Sequence, residues 1–278
     1  MLLNESAVSS LGVEGEMTLA EFAMLESLEG VSIEFIPITE PVEPLRQTKT
    51  AAEIEAIRAA AAITDQAMSA VNEIIRPGMS EKQVAWELEK MMREAGADGM
   101  AFPVIVASGP NGAFAHHSSG DRQLKVGDPI IIDMGASLNG YQSDLTRTFY
   151  LGKAPDEKFW EIYNLVHNAQ KAALKAIRAG KKSNAIDKVA RDAITKAGYG
   201  KEFGHGLGHG VGLEIHEEPR LSFTAEDKER LPAGAVVTIE PGIYIEGWGG
   251  VRIEDLVLVT DTGVEILSRC SKNPIIPT

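Results

Sequence analysis

The same layout occurs twice in this chain, 102 residues apart, and that repeat predicts a fold built from two copies of one helix–helix–sheet unit. Ile75-Arg76 matches Ile177-Arg178, Gly78 matches Gly180, Ala95-Gly96 matches Ala197-Gly198, and Val84 falls on Ile186. The alanine matches carry little in an alanine-rich chain, but glycine and arginine keep register across a whole helix. In the first copy Thr50 and Glu53 form a capping-box pair. Ile54, Ile57, Ala61, Met68, Val71 and Ile75 then recur at helical spacing until Pro77-Gly78 ends the run. Ser80 and Gln83 open a second helix that reaches about Gly96. The second copy holds helices over about Glu157–Ala179 and Ser183–Ala197.

Strand-type sequence follows each helix pair. Pro129–Gly135 and Tyr141–Tyr150 flank the turn Ser137-Leu138-Asn139-Gly140, a hairpin signal. Val236–Ile245 and Val251–Val259 flank a longer glycine-rich turn, Glu246–Gly250. Each hairpin carries two carboxylates in apolar surroundings. Asp133 follows Ile130-Ile131-Ile132, and Glu240 follows Val236-Val237-Thr238-Ile239. Asp133 and Asp144 are symmetric about the Leu138–Asn139 bond, and Glu240 and Glu254 about Gly247. The spacing therefore predicts two facing carboxylate pairs, each with Cβ atoms roughly 4.5–5.5 Å apart. A carboxylate on a buried strand must be paired, protonated or metal-bound.

An imidazole completes the set. Gly204-His205-Gly206-Leu207-Gly208-His209-Gly210-Val211-Gly212 lets backbone pass close to a crowded centre. His205, His209 and His216 are three of only six histidines, and this clustering favours a site. His116 and His117 lie on a loop leading to the Asp133 strand, whereas His167 falls in a helix and reads as a partly buried surface residue. Asp133, Asp144, His209, Glu240 and Glu254 are thus the candidate metal ligands. Their formal charge balances two divalent ions, and one nitrogen among oxygens suits manganese, cobalt or zinc. Two ions polarise a carbonyl and activate water, which is hydrolysis without a covalent intermediate. No Gly-x-Ser-x-Gly elbow is present, and no strand–helix context makes the glycines near position 206 a nucleotide loop.

Composition removes other classes. A net charge of −13 argues against nucleic acid and anionic membrane surfaces. No apolar run approaches membrane-spanning length. The N-terminus lacks a signal-peptide pattern, and a single cysteine, Cys270, excludes an intrachain disulfide. The expected location is cytoplasmic, and Cys270 reads as an inert, half-buried residue.

Five motifs resemble the pita-bread metallopeptidases, a family spanning Xaa-Pro aminopeptidases, Xaa-Pro dipeptidases (prolidases) and methionine aminopeptidases. They are Ile132-Asp133-Met134-Gly135, Ser143-Asp144-Leu145-Thr146-Arg147-Thr148, Gly208-His209-Gly210-Val211-Gly212-Leu213-Glu214-Ile215-His216-Glu217, Ile239-Glu240-Pro241-Gly242 and Val251-Arg252-Ile253-Glu254-Asp255. The resemblance implies an α+β pita-bread (creatinase/aminopeptidase) fold and a dinuclear centre holding two divalent ions. Manganese leads among these; cobalt, zinc and iron are compatible. It implies that Asp144 and Glu254 bridge the ions, that Asp133 completes one, and that His209 and Glu240 complete the other. Glu240 would also move the proton from water to the leaving nitrogen. His116 and His216 would steady the substrate carbonyl. His205 and Arg252 match substrate-side positions of the proline-specific branch, and Arg252 has a second reading as structural partner of a carboxylate.

The implied substrate is a peptide with proline at its second position, and the implied assembly is a homodimer. An Xaa-Pro bond has no N–H, and proline's ring fixes φ, so proteases that align substrates as strands handle it poorly. Methionine aminopeptidase and a non-catalytic binding module on the same fold are the alternatives. Residues 47–278 read as the catalytic domain. Residues 1–46, with a helix near Leu19–Leu28, a strand over Val31–Ile38 and a connector marked by Pro37, Pro41 and Pro44, read as the end of an N-terminal domain plus linker. Proline-specific members carry that domain complete, so the expectation is a chain truncated, proteolysed or naturally short.

Overall fold

Thr18 caps the helix Leu19–Glu26, and its hydroxyl accepts from the Glu21 amide at 3.2 Å. A computed structural model of the chain describes residues 8–15, 17–27, 33–39, 42–226 and 230–278. These divide into two units, Met1–Arg46 and Gln47–Thr278. In the first, Ser10–Glu14 (β1) and Glu34–Ile38 (β2) pair in parallel, with Leu19–Glu26 (α1) between them in sequence. The expected helix end at Leu28 and strand start at Val31 lie outside the described residues, and β1 was not foreseen.

The second unit repeats itself as the sequence implies. Its long helices are Ala51–Ser69 (α2), Glu81–Glu94 (α3), Glu157–Ala176 (α4) and Ser183–Lys196 (α5), and a short helical turn, Val71–Ile74, follows α2. Both predicted capping boxes close, at Thr50/Glu53 and Ser80/Gln83. Helices α3 and α5 have 14 residues each and begin 102 positions apart. Ile75 and Ile177 both leave the helix with extended backbone, ψ 130° and 133°. Gly78 and Gly180 both take positive φ, and their amides donate to the carbonyls of Leu124 and Leu231. That early exit ends α4 at Ala176, three residues before the predicted end.

The strands are Gly99–Met100 (β3), Ile105–Ser108 (β4), Pro129–Met134 (β5), Ala136–Leu138 (β6), Tyr141–Gln142 (β7), Leu145–Leu151 (β8), Gly208–Gly210 (β9), Glu217–Leu221 (β10), Val236–Ile239 (β11), Gly242–Ile245 (β12), Gly249–Arg252 (β13), Asp255–Val259 (β14), Val264–Ile266 (β15) and Ile275–Ile276 (β16). One sheet runs β16-β8-β5-β4 and another β10-β9-β11-β14-β15, while β12-β13 and β3-β6-β7 form smaller sheets. Met68, Val84, Leu88 and Met92 pack on Ile130, Ile132 and Met134. Phe159, Ile162, Ile186 and Ala190 pack on Val237, Ile239, Val251 and Ile253. Because side chains alternate along a strand, the opposite faces carry Asp133, Thr146, Thr238, Arg252 and Glu254. In each half the apolar strand faces pack under that half's helix pair, and Asp133, Arg252 and Glu254 from both halves line one cavity.

The first hairpin departs from the predicted register. Asp133 pairs with Thr146 and Leu138 with Tyr141, so Asp144 stands two residues from the position facing Asp133. The turn centres on Asn139 and Gly140, with φ 51° and 82°, because a two-residue hairpin turn of this kind needs positive φ at both central residues. The shift is even, so Asp144 keeps the predicted face. In the second hairpin Ile239 pairs with Asp255 and Gly242 with Arg252, which leaves Glu240 and Glu254 at matched positions, as predicted. Three of the four predicted strands are interrupted, at Ser143–Asp144, Glu240–Pro241 and Ile253–Glu254. Pro241 has no amide to give the ladder. Among the described residues no helix is long and apolar enough to cross a membrane.

Candidate metal centre

Every candidate ligand sits at a strand end or in a short strand. Asp133 is near the end of β5, Asp144 just before β8, His209 in the middle of β9, Glu240 just after β11 and Glu254 just before β14. Asp144, His209 and Glu254 each offer a ligand atom within 4.8 Å of the others. Glu240 Oε1 lies 3.3 Å from His209 Nε2, and Asp144 Oδ2 lies 3.6 Å from it. Asp133 joins through Arg252, whose Nη2 donates to its Oδ2 at 2.7 Å. All five line one cavity of about 780 Å³.

The chemistry of this set calls for cations. A carbonyl can only accept, so His209 Nδ1 donates its proton to the Gly210 carbonyl at 3.0 Å. Its Nε2 faces the Glu240 and Asp144 carboxylates, an arrangement that fits a metal ligand. Asp133 Oδ1 and Glu254 Oε1 are buried with no hydrogen-bond partner, and a buried charged acceptor left unpaired costs well above 1 kcal/mol. Burial and the neighbouring carboxylates push Asp144 and Glu254 well above the ordinary carboxylate range. Burial raises Asp133 as well, against the pull of Arg252. Four crowded, desolvated carboxylates and one imidazole fit two divalent ions in charge and in donor type.

A polar shell holds the candidate ligands. Thr146 Oγ1 donates to Glu254 Oε2 at 2.8 Å and accepts from Arg252 Nε at 3.1 Å. Thr238 Oγ1 donates to Glu240 Oε1 at 3.2 Å and accepts from the His209 amide at 3.1 Å. Arg252 Nη1 also donates to the Tyr244 hydroxyl at 2.8 Å, and that hydroxyl donates to His205 Nε2 at 2.9 Å, since His205 Nδ1 is committed to the Gly206 carbonyl. Arg252 therefore links a ligand carboxylate to the His205 wall of the cavity. This is the structural partnership its sequence context allowed. Burial raises the Tyr244 phenol to about 12, so it stays a protonated donor.

His116 and His216 are exposed on the cavity wall. The His216 ring lies 4.3 Å from that of His209, and desolvation together with that neighbour lowers it to about 4. His117 also lines the cavity, with its Nε2 held by Glu81 at 2.8 Å. His167 lies on α4 against Tyr163, away from the cavity, and Cys270 is buried with its thiol pushed up by burial. Sequence reasoning missed Thr146, Thr238 and Tyr244. Thr146 and Thr238 lay two residues from Asp144 and Glu240 on the same strand face, which was a usable signal. Tyr244 had none, because its partners Arg252 and His205 meet only in the fold.

A helix-pair sheet unit folded twice about a carboxylate-rich centre defines a metallopeptidase of the pita-bread type. The model described as metallopeptidase family M24 matches residues 55–261, and the chain belongs to that family. It is 44% identical over 265 residues to the Xaa-Pro dipeptidase of Pyrococcus furiosus, covering 95% of this chain and 74% of the relative. It is similar in structure to an Xaa-Pro dipeptidase from Bacillus anthracis, with TM-score 0.92 and 44% identity over 96% of this chain and 74% of the other. It also resembles an X-Pro aminopeptidase from Thermotoga maritima, with TM-score 0.91 and 40% identity over 100% of this chain and 78% of the other.

Proposed function

We propose that this chain hydrolyses the peptide bond between an N-terminal residue and a following proline, using two divalent ions held by Asp133, Asp144, His209, Glu240 and Glu254. The observation that carries the reading is the convergence of these five donors, with two buried carboxylate oxygens unpartnered, in a chain whose relatives are named for Xaa-Pro cleavage. When bound, the ions supply Lewis acidity for the scissile carbonyl and lower the pKa of water. Glu240 is the most open of the four carboxylates, with its side chain 17% exposed against 14% for Asp133 and 7% for Asp144. It takes the proton from the attacking water and returns it to the proline nitrogen as the C–N bond breaks. That nitrogen is a secondary amine once freed and leaves only when protonated. His216, neutral at physiological pH, and His116 donate to the substrate oxygen as it gains charge. His205 and Arg252 shape the substrate side of the cavity through Tyr244.

Manganese as the resident ion, a homodimeric assembly and a cytoplasmic location belong to the same proposal, as does the division into residues 1–46, the end of an N-terminal domain, and residues 47–278, the catalytic domain. The test is an assay with manganese or cobalt on Xaa-Pro dipeptides and on longer Xaa-Pro peptides. Metal-dependent release of the first residue is expected, and the preferred length separates dipeptidase from aminopeptidase. No release from either rejects the proposal, and preference for Met-Ala peptides transfers the chain to methionine aminopeptidase. Glu240→Gln should abolish turnover with the fold intact; near-normal activity would refute the proton-transfer role.

A further inference from the structure

Glu81 is fully buried at the first position of α3, and the centre described above makes no use of it. Its carboxylate accepts six hydrogen bonds. Oε1 accepts from the Ser108 amide at 2.8 Å, the Ser108 hydroxyl at 2.7 Å and Asn111 Nδ2 at 3.0 Å. Oε2 accepts from His117 Nε2 at 2.8 Å, the Gly120 amide at 3.1 Å and Asn111 Nδ2 at 3.2 Å. Every donor lies within residues 108–120. The Lys82 amide donates to the Gly120 carbonyl at the end of that segment, and the Glu81 amide to the Arg122 carbonyl just beyond it, each at 3.0 Å. Arg122, paired with Asp128, donates to the Ser108 hydroxyl at 2.6 Å. One residue of α3 therefore gathers a 13-residue loop.

That loop carries His116. Among the described residues no hydrogen bond fixes the His116 ring itself, so its position comes from the backbone on either side. On one side the Ala115 carbonyl accepts from Arg252 Nη1 at 3.3 Å, and on the other the His117 ring is held by Glu81. Burial pushes the Glu81 carboxyl up, but the donors around it outweigh burial and hold it below the ordinary range. It is a permanent anion, and a six-contact anchor of this kind is strong because its acceptor is charged.

We propose that Glu81 is the positioning residue for His116, setting the loop so that this imidazole faces the substrate oxygen. The proposal rests on the reading of His116 given above. A misplacement of about 1 Å at such a group costs up to about a hundredfold in rate, whereas binding of substrate elsewhere in the cavity is untouched.

The experiment compares Glu81→Gln, His116→Ala and the double variant, each loaded with manganese. Glu81→Gln should retain its metal and a KM within about twofold, and lose tenfold or more in kcat. The double variant should be no slower than His116→Ala, because the two act through one imidazole. Hydrogen exchange supplies a readout independent of activity: the amides of Ser108 and Gly120 should exchange faster in Glu81→Gln, with those of α4 unchanged. If Glu81→Gln does not fold, Asn111→Ala removes one anchor point, and a smaller loss of kcat that vanishes in the His116→Ala background is expected. Multiplying effects in the double variant, or unchanged kcat and exchange in a single variant, would overturn the proposal. Full activity in His116→Ala would instead overturn the reading of His116, and the positioning role with it.

Discussion

Arg147→Met tests how far the centre depends on a charge buried behind it. Arg147 is 1% exposed and donates to five acceptors. These are the carbonyls of Thr146 at 3.0 Å, Cys270 at 2.9 Å, Ser271 at 3.2 Å and Glu254, and Asp255 Oδ1 at 2.9 Å. Methionine restores the stem but no donor. Asp255, fully buried, keeps Lys272 at 2.6 Å and Gln170 at 3.1 Å on Oδ2, so only Oδ1 is orphaned. The Thr146 carbonyl keeps the Glu254 amide. Breaking a buried pair on one side costs about 3–5 kcal/mol, and at roughly 2–3 °C per kcal/mol this lowers the melting temperature by about 6–15 °C. Thermal unfolding of the manganese-loaded protein is the assay. Because Arg147 also holds the Glu254 backbone, metal affinity should fall with it. Adding Asp255→Leu should recover part of the loss, since an apolar pair replaces an orphaned charge. A shift under about 2 °C, or a double variant as unstable as the sum of the singles, would show that the guanidinium carries no such load.

Two further outcomes follow from the centre itself. Burial and mutual repulsion raise Asp144 and Glu254 in the folded chain. The metal-free folded state therefore binds more protons than the unfolded one, and its stability falls as pH rises above the ordinary carboxylate range and on through the raised values. The slope approaches about 1.4 kcal/mol per pH unit for each retained proton. Bound cations keep these groups ionised, so the melting-temperature gap between manganese-loaded and chelated protein should widen from pH 5 to pH 8; parallel curves would contradict the crowding. Gly208→Ala places a Cβ against the Thr238 carbonyl oxygen, which is backbone and cannot yield. About 1–3 kcal/mol of stability and a large part of the metal content should be lost, and a variant loading metal normally would disprove that close approach.

Periodicity and punctuation made much of this molecule legible. Capping pairs at Thr50 and Ser80 are local, and a helix start depends on residues three apart, so both were readable directly. The repeat placed α3 and α5 because the same glycine-terminated exits recur at Gly78 and Gly180. The Asp133 hairpin was misread by two positions because its register depends on which turn residues accept positive φ, and Asn139-Gly140 outranks Leu138-Asn139. The polar shell was less accessible. Tyr244 touches Arg252 across a hairpin and His205 in the bend before β9, and Glu81 carries no local signal beyond its place in a helix's first turn. Its burial depends on a loop that begins 27 residues later.

The chain's own order of residues singled out the candidate ligands, because carboxylates set into strands of isoleucine and valine admit few fates other than charge compensation. It also determined that two like units share one centre, because the register of glycines and helix caps is a one-dimensional property. Only the folded molecule decided which side chains hold those groups in place. Those partners lie up to more than a hundred residues apart, as with Thr146 and Glu254, and a hydrogen bond is set by distance and direction in space, which sequence spacing does not encode.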